Sequence, residues 1–449
     1  MNGNSDRSRL IRSIPLSHLV GIEIGQTIGA GVFALTGIAL ARTGPSISLA
    51  FLVAAIPVGI SMLVLGMLGS GEPISGGTYV YGARYFSTVA SFTGVWAFIL
   101  GAFLGLFPLY ALTGANFLQA VFPGIPKIPV ALALLLIFYV SNLLGTRIVM
   151  WIQAVLVGIM LSALFLFIGV GLPKIEAANF APFFGGGAGG FAVAASVLTF
   201  TILGANAAVE LGDEIVNPSR NIPRSFLISI PIVTVLYILL GLVTGGVQKW
   251  GGEDTNTLSA IAETFLTGFP FYYFILAGGL LAVVTTLNAT FLWGTKSLIM
   301  ISEDGFFPNG LARINKKFGT PHWFLTIIFV ISAGSLLAVG DRVETFAVFA
   351  SIGGIIIFMP VMAGALRFKR LNPKAYERSE MKLRGALYYV APIVGLVLSL
   401  VIIAILLIDL STHEYGTLFF VIFLVWTAGG ACYSAIKLSN KNRTERGNA

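Results

Sequence analysis

Charged side chains are scarce: Asp, Glu, Lys and Arg make up 10% of the 449 residues. A water-soluble domain carries about 25%, because its surface must face water, so this composition excludes a soluble globule. Cysteine is nearly missing, and the single Cys432 excludes both an internal disulfide framework and a cysteine metal cage. Histidine occurs only at His18, His322 and His413, each at the edge of an apolar stretch. That scatter argues against an intramembrane enzyme, which needs clustered His, Asp or Cys. No phosphate-cradling loop with its lysine occurs, which argues against an ATP-driven pump. No cofactor is expected, and no nucleic-acid partner either, since the net charge of +8 has a simpler origin in how the basic residues are distributed.

Long apolar runs are what the chain has instead. Hydrophobic residues make up 56% and the mean hydropathy is +0.91. A helix needs roughly 20 apolar residues to cross a bilayer. Stretches 50–68, 92–121, 128–144, 150–172, 226–247, 273–294, 323–339, 345–366, 388–408 and 416–436 meet or approach that length. Two more, 19–41 and 191–212, are glycine-rich and carry acids. Barrel strands of about 10 residues in strict alternation are not seen. The sequence therefore predicts an all-α polytopic membrane protein of about twelve spans. No small-residue cleavage site follows Arg7, Arg9 and Arg12, so the first span is expected to be retained.

Twelve spans with a cytoplasmic N-terminus leave only Arg42, Lys127, Lys174, Lys249 and Arg342 outside, and the rest of the 27 Lys and Arg inside. This is the bias of the positive-inside rule. An odd span count would break it, so both termini are expected in the cytoplasm and the protein in the cell membrane.

Two spans contain interruptions. The first reads Gly21-Ile-Glu23-Ile-Gly25-Gln26-Thr27-Ile28-Gly29-Ala30-Gly31-Val32-Phe33. Gly21, Gly25 and Gly29 are four apart, as in a packing seam, but Gly29 and Gly31 also weaken the helix at mid-membrane. The sixth span has a second small-residue stretch, Leu203-Gly204-Ala205-Asn206-Ala207-Ala208. Interrupted spans at matching positions of two five-helix halves point to an inverted-repeat transporter. The expected layout is a tail at 1–15, a first repeat at 16–172, a second at 191–368, two additional helices at 386–437, and a tail at 438–449. Half-helix N-termini offer N–H groups to a carboxylate, and exposed carbonyls hold an ammonium, so a zwitterion fits without a charged side chain. A passive channel would show rings of like side chains, which are not visible. The short termini offer no module for a transporter-like receptor.

Five segments in order resemble the amino acid–polyamine–organocation superfamily, with its leucine-transporter-like fold. They are Gly29-Ala30-Gly31-Val32-Phe33, Thr43-Gly44-Pro45, Glu72-Pro73-Ile74-Ser75-Gly76-Gly77-Thr78-Tyr79-Val80-Tyr81, Asn217-Pro218-Ser219-Arg220-Asn221-Ile222-Pro223-Arg224, and Glu303-Asp304-Gly305-Phe306-Phe307-Pro308 with Gly319-Thr320-Pro321. The resemblance implies a substrate site at Thr27, Ile28, Gly29, Ala30 and Gly31 of span 1 and at Phe200, Thr201, Ile202, Leu203, Gly204 and Asn206 of span 6. The substrate carboxylate would lie on the N–H groups of Ala30 and Gly31, its amino group near carbonyls of Thr27 and Phe200 to Leu203, and Phe200 would close over it. Two positions depart from the family. Asn206 replaces a glutamate found in several members, and Met160 stands where some proton-coupled members carry a lysine in place of a sodium ion.

Glu23 and Glu210 are the acids well inside predicted spans. A membrane-embedded carboxylate costs about 3 kcal/mol or more unless paired or watered. Each is a coupling or gating candidate, against an interfacial acid paired with a nearby basic residue for Glu23 and a neutral or paired structural acid for Glu210. Thr285 and Thr286 are candidate sodium ligands, against hydroxyls bonded back to their own helix. Asn206 and Asn288 also read as interhelical hydrogen-bonding residues. The expected function is a secondary transporter for an amino-acid-like solute, with proton coupling or exchange favoured over sodium.

Overall fold

The computed structural model describes residues 12–144, 150–251, 257–303, 305–308, 310–311, 313–315, 318, 320–413 and 416–447. Arg7, Arg9, Arg147, Asp304, Lys316, Lys317 and Gly319 of the segments above lie outside them.

Backbone hydrogen bonds cannot be left open in hydrocarbon, so an apolar chain of this kind satisfies them within helices. The first membrane segment is two pieces, α1 (Leu16–Thr27) and α2 (Ala30–Thr43). Gly44, at φ 71°, ends α2 in a conformation that favours glycine, and Pro45 leads into α3 (Ile47–Gly71). Gly76 (φ 72°) introduces the short α4 (Gly77–Tyr85). Next come α5 (Thr88–Gly101) and α6 (Phe107–Val121), joined without a break by a wider π-helical turn at Ala102–Leu106. Then follow α7 (Lys127–Leu143) and α8 (Met150–Gly171).

The sixth segment is again divided, into α9 (Gly187–Ile202), a 3₁₀ turn at Leu203–Asn206, and the single turn α10 (Ala207–Glu210). α11 (Pro218–Gly246) carries Pro223 and Pro231. After α12 (Leu258–Glu263), α13 (Phe269–Tyr273) runs through a second π-helical segment, Phe274–Leu280, into α14 (Leu281–Glu303). The chain ends with α15 (His322–Val339), α16 (Val343–Ile356), α17 (Met359–Leu371), α18 (Pro373–Arg378), α19 (Leu387–Ser411) and α20 (Gly416–Gly447).

Ten helical runs among the described residues are long and apolar enough to cross a membrane, and the chain is a multi-pass membrane protein. α3 and α11 form the most extensive pair, with α9 against α2 and α3, and α1 against α11. Backbones approach closely where glycine permits it. A Cβ on Gly101 would lie 2.9 Å from the Phe349 carbonyl, and one on Gly241 would lie 2.8 Å from the Ser48 Cα. α20 docks on α5 through Trp96 and Trp426, whose rings stack at 4.2 Å. Each indole N–H donates to the other's carbonyl, at 3.1 and 2.8 Å. The outward faces of α19 and α20 carry exposed Leu400, Ile408, Leu418 and Val425, a surface suited to lipid.

Candidate functional site

The break in the first segment is a real opening of the helix. Ile28 (φ −86°, ψ 83°) and Gly29 (φ −131°, ψ −158°) leave the helical conformation before α2 begins. The first N–H groups of a helix have no intrahelical partner. That of Ala30 donates to the Thr286 hydroxyl of α14 at 3.0 Å. A Cβ on Gly29 would sit 2.5 Å from the same oxygen, while one on Gly31 would meet only the Tyr110 hydroxyl, at 3.6 Å. Gly31 therefore keeps room in front of it. Of the other two glycines in the suggested seam, Gly25 packs on Val157 and Gly21 on nothing within 4 Å.

The break in the sixth segment lies directly on the first. A Cβ on Gly204 would approach the Gln26 carbonyl and the Thr27 Cα to 2.7 and 2.8 Å, so only glycine allows the two interruptions to touch. Tyr237 of α11 spans them. Its hydroxyl donates to the Thr27 carbonyl at 2.8 Å and lies 3.4 Å from the Thr201 carbonyl. The structure thus brings Thr27, Ile28, Gly29 and Ala30 together with Thr201, Ile202, Leu203 and Gly204. Phe200 turns its ring onto Gly354 of α16, where a Cβ would lie 2.6 Å away.

At the end of the bundle where α1 begins, the chain is tightly laced. The Glu210 carboxylate accepts from the Thr78 hydroxyl and, at 3.3 Å, from the Thr78 N–H. Asn206 Nδ2 reaches the same hydroxyl at 3.5 Å. Ser75 N–H donates to Asp213 at 3.0 Å, and Ile14 pairs with Ile215 as an isolated bridge. The Glu72–Tyr81 segment therefore packs as a clasp over the end of the divided sixth segment.

Glu23 is fully buried. Its two carboxylate oxygens accept from Ser225 at 2.7 Å and Ser229 at 2.6 Å, both on α11. None of the ion pairs among the described residues includes it, so its local partners are hydroxyls where the sequence suggested a basic residue. Thr285 donates to the carbonyls of Leu281 and Ala282 in its own helix. Asn288 accepts from Asn142 of α7 at 3.0 Å.

At the opposite end, a cavity of about 520 Å³ is lined by Phe33, Asn116, Phe117, Thr257, Glu344 and His413, among others. Phe33 lies one helical turn from Ala30 and packs on Phe117 and Phe274, with ring centres 5.9 and 6.0 Å away. Beside the cavity, Arg42 of α2 bonds Glu344 of α16 at 2.7 Å and His413 at 2.8 Å, and lies 3.3 Å from Asp409 of α19. Asp409 is a further buried acid, at the end of a span that sequence reading closed one residue earlier.

Sequence reading missed Tyr237, Ser225, Ser229, Thr78 and Tyr110. Ser225 and Ser229 stand four apart in an apolar helix, a signal for one polar stripe. Tyr237 and Tyr110 carry no local signal at all, because their roles depend on which helix lies opposite.

The chain matches the family model described as amino acid permease over residues 15–428. It is 24% identical over 397 residues to the methylthioribose transporter of Bacillus subtilis (strain 168), covering 83% of this chain and 85% of that protein. It is 24% identical over 404 residues to the branched-chain amino acid permease BcaP of the same organism, covering 82% and 83%. To the vacuolar cationic amino acid transporter 2 of Arabidopsis thaliana it is 28% identical over 400 residues, 83% of this chain and 62% of that protein.

Proposed function

This chain belongs to the amino acid permease family, and from that premise we propose that it is a secondary transporter of small neutral amino acids or close analogues, working by alternating access. The observation that carries this reading is the meeting of the two helix breaks, with Gly204 seated on the Gln26–Thr27 backbone beside the open N-terminus of α2 at Gly31. A carboxylate is received by the N–H of Gly31, and by that of Ala30 when it exchanges its bond to the Thr286 hydroxyl for the substrate, without a cationic side chain. The substrate ammonium goes to the carbonyl ends of α1 and α9. A neutral side chain is favoured because Glu23 and Glu210, the acids nearest the breaks, are already bonded to Ser225, Ser229 and Thr78.

Twelve spans in a 5+5 inverted arrangement are part of the proposal. The run Ala30–Gly71 has 42 residues, about 63 Å as one rod at 1.5 Å per residue, against a hydrocarbon core of about 30 Å. It is thus long enough for two crossings, and α7 adds a shorter apolar helix. The packing also repeats between halves. α1 lies on α11 as α9 lies on α3, and the π segment of the third span meets α16 and α15 while that of the eighth and its continuation meet α8 and α7. Both termini are inferred to be cytoplasmic from the distribution of basic residues, and the protein is proposed to lie in the cell membrane.

Coupling to a proton, or exchange, is favoured over sodium, because the Thr285 hydroxyl is turned onto its own helix and that of Thr286 caps Ala30. The test is uptake of labelled L-amino acids into proteoliposomes of the purified chain. Saturable uptake of neutral amino acids, competed by the unlabelled compounds, is expected. Uptake of only a strongly cationic diamine, with no amino-acid competition, overturns the proposal.

A further inference from the structure

Glu23 presents an arrangement that a permanently charged structural carboxylate does not need. It is buried on α1, without a cationic partner among the described residues, and both oxygens are held by hydroxyls of a single neighbouring helix. A charge in that position is costly. The hydroxyls also have somewhere else to go. The Ser225 hydroxyl lies 2.7 Å from Glu23 Oε1 and 2.9 Å from the Ile222 carbonyl.

Two complete hydrogen-bond patterns are therefore available to the same atoms. With Glu23 ionised, Ser225 and Ser229 both donate to it. With Glu23 protonated, its O–H donates to Ser225 Oγ, and Ser225 turns its own hydrogen to Ile222, so no polar group is orphaned. A fixed acid needs only the first pattern.

The elements packed against α1 are α8, α10, α11 and the 3₁₀ turn before α10. Their titratable groups are engaged elsewhere or exposed. Glu210 is bonded to Thr78 and Tyr237 to Thr27, while Arg220 and Arg224 of α11 and His18 of α1 are exposed. Glu23 is thus the carboxyl on the α1–α11 contact, one helical turn from the Thr27 carbonyl at the substrate site, and Thr27 itself donates back to the Glu23 carbonyl at 2.7 Å.

We propose that Glu23, with Ser225 as its exchangeable partner, is the binding site of the coupling proton. The proton is taken from water on one side, held while α1 is packed on α11, and returned to water on the other side when the two helices separate. This rests on the amino-acid transport reading and names its coupling ion.

The experiment uses the full chain in proteoliposomes with an equimolar mixture of labelled L-amino acids and a trapped pH-sensitive dye. Exchange of labelled for unlabelled amino acids at equal pH involves no net proton transfer and tests the transport reading alone. A one-unit pH step, acid outside, drives about tenfold accumulation at one proton per solute, with acidification of the lumen. Glu23→Gln is expected to keep exchange and lose both the accumulation and the dye signal. Acid-driven accumulation in Glu23→Gln equal to that of the native chain overturns the proton site. No exchange by the native chain overturns the transport reading instead. Should Glu23→Gln not exchange, Ser225→Ala decides. It removes the relay hydroxyl and leaves the carboxyl, and must show weaker acid-driven accumulation with exchange intact. Accumulation at the native level in Ser225→Ala overturns the proposal.

Discussion

The Tyr237 hydroxyl donates to the Thr27 carbonyl at 2.8 Å, tying α11 to the carbonyl end of α1 where that helix stops. The same oxygen lies 3.4 Å from the Thr201 carbonyl, so one side chain covers acceptors from both interrupted helices. A net hydrogen bond of this kind contributes about 1 kcal/mol. Tyr237→Phe is expected to change amino-acid uptake by about fivefold, with little loss of folded protein on gel filtration. Uptake at the native rate would mean that the bridge plays no part in transport.

Gly31 and Gly204 should respond differently to the same substitution. Gly31 has room for a side chain, whereas Gly204 abuts backbone atoms at 2.7 Å. Gly31→Leu is expected to abolish uptake while the protein inserts and purifies normally. Gly204→Leu is expected to lower expression and thermal stability as well, since backbone cannot move aside as a flexible side chain does. Normal transport by Gly31→Leu would remove it from the substrate site.

Gly29→Leu should resemble neither. The added Cβ collides with the Thr286 hydroxyl, which can rotate, so the expected loss is of the contact to Ala30 as well as of backbone access. Uptake is expected to be abolished with insertion retained, and a matching but partial loss is expected for Thr286→Ala. Thr285→Ala, which removes only a bond within α14, is expected to stay near native. Replacing sodium by potassium is expected to leave uptake unchanged. Strict sodium dependence, lost in either threonine variant, would replace the proton by a sodium ion.

Arg42 joins α2 to α16 and α19 beside the cavity. Partly exposed ion pairs contribute about 0.2–1 kcal/mol each, so each pair lost should shift an opening equilibrium by up to about fivefold, and the two together by up to about thirtyfold where they add. In a Cys432→Ser background, Asn116→Cys on the cavity wall should react faster with an impermeant maleimide when Arg42→Ala is added. An unchanged labelling rate would show that these contacts do not hold the cavity closed.

The sequence by itself determined that this is a helical membrane protein. Scarce charge and long apolar runs leave no other way to satisfy the backbone. It also marked where two helices would be weak, because Gly29 and Gly204 act through backbone properties that composition reveals. It located Glu23 and Glu210 as acids in costly places. What it left undecided were partners. That Glu23 rests on Ser225 and Ser229, that Thr286 caps Ala30, and that Glu210 holds Thr78 are contacts between residues more than a hundred positions apart. Tyr237 and Arg42 were equally silent, since an aromatic in an apolar helix and a basic residue at a helix end look ordinary until the opposing surface is known. Helix formation is local and was readable. Which hydroxyl meets which carboxylate depends on how the helices pack, and only the tertiary structure decided it.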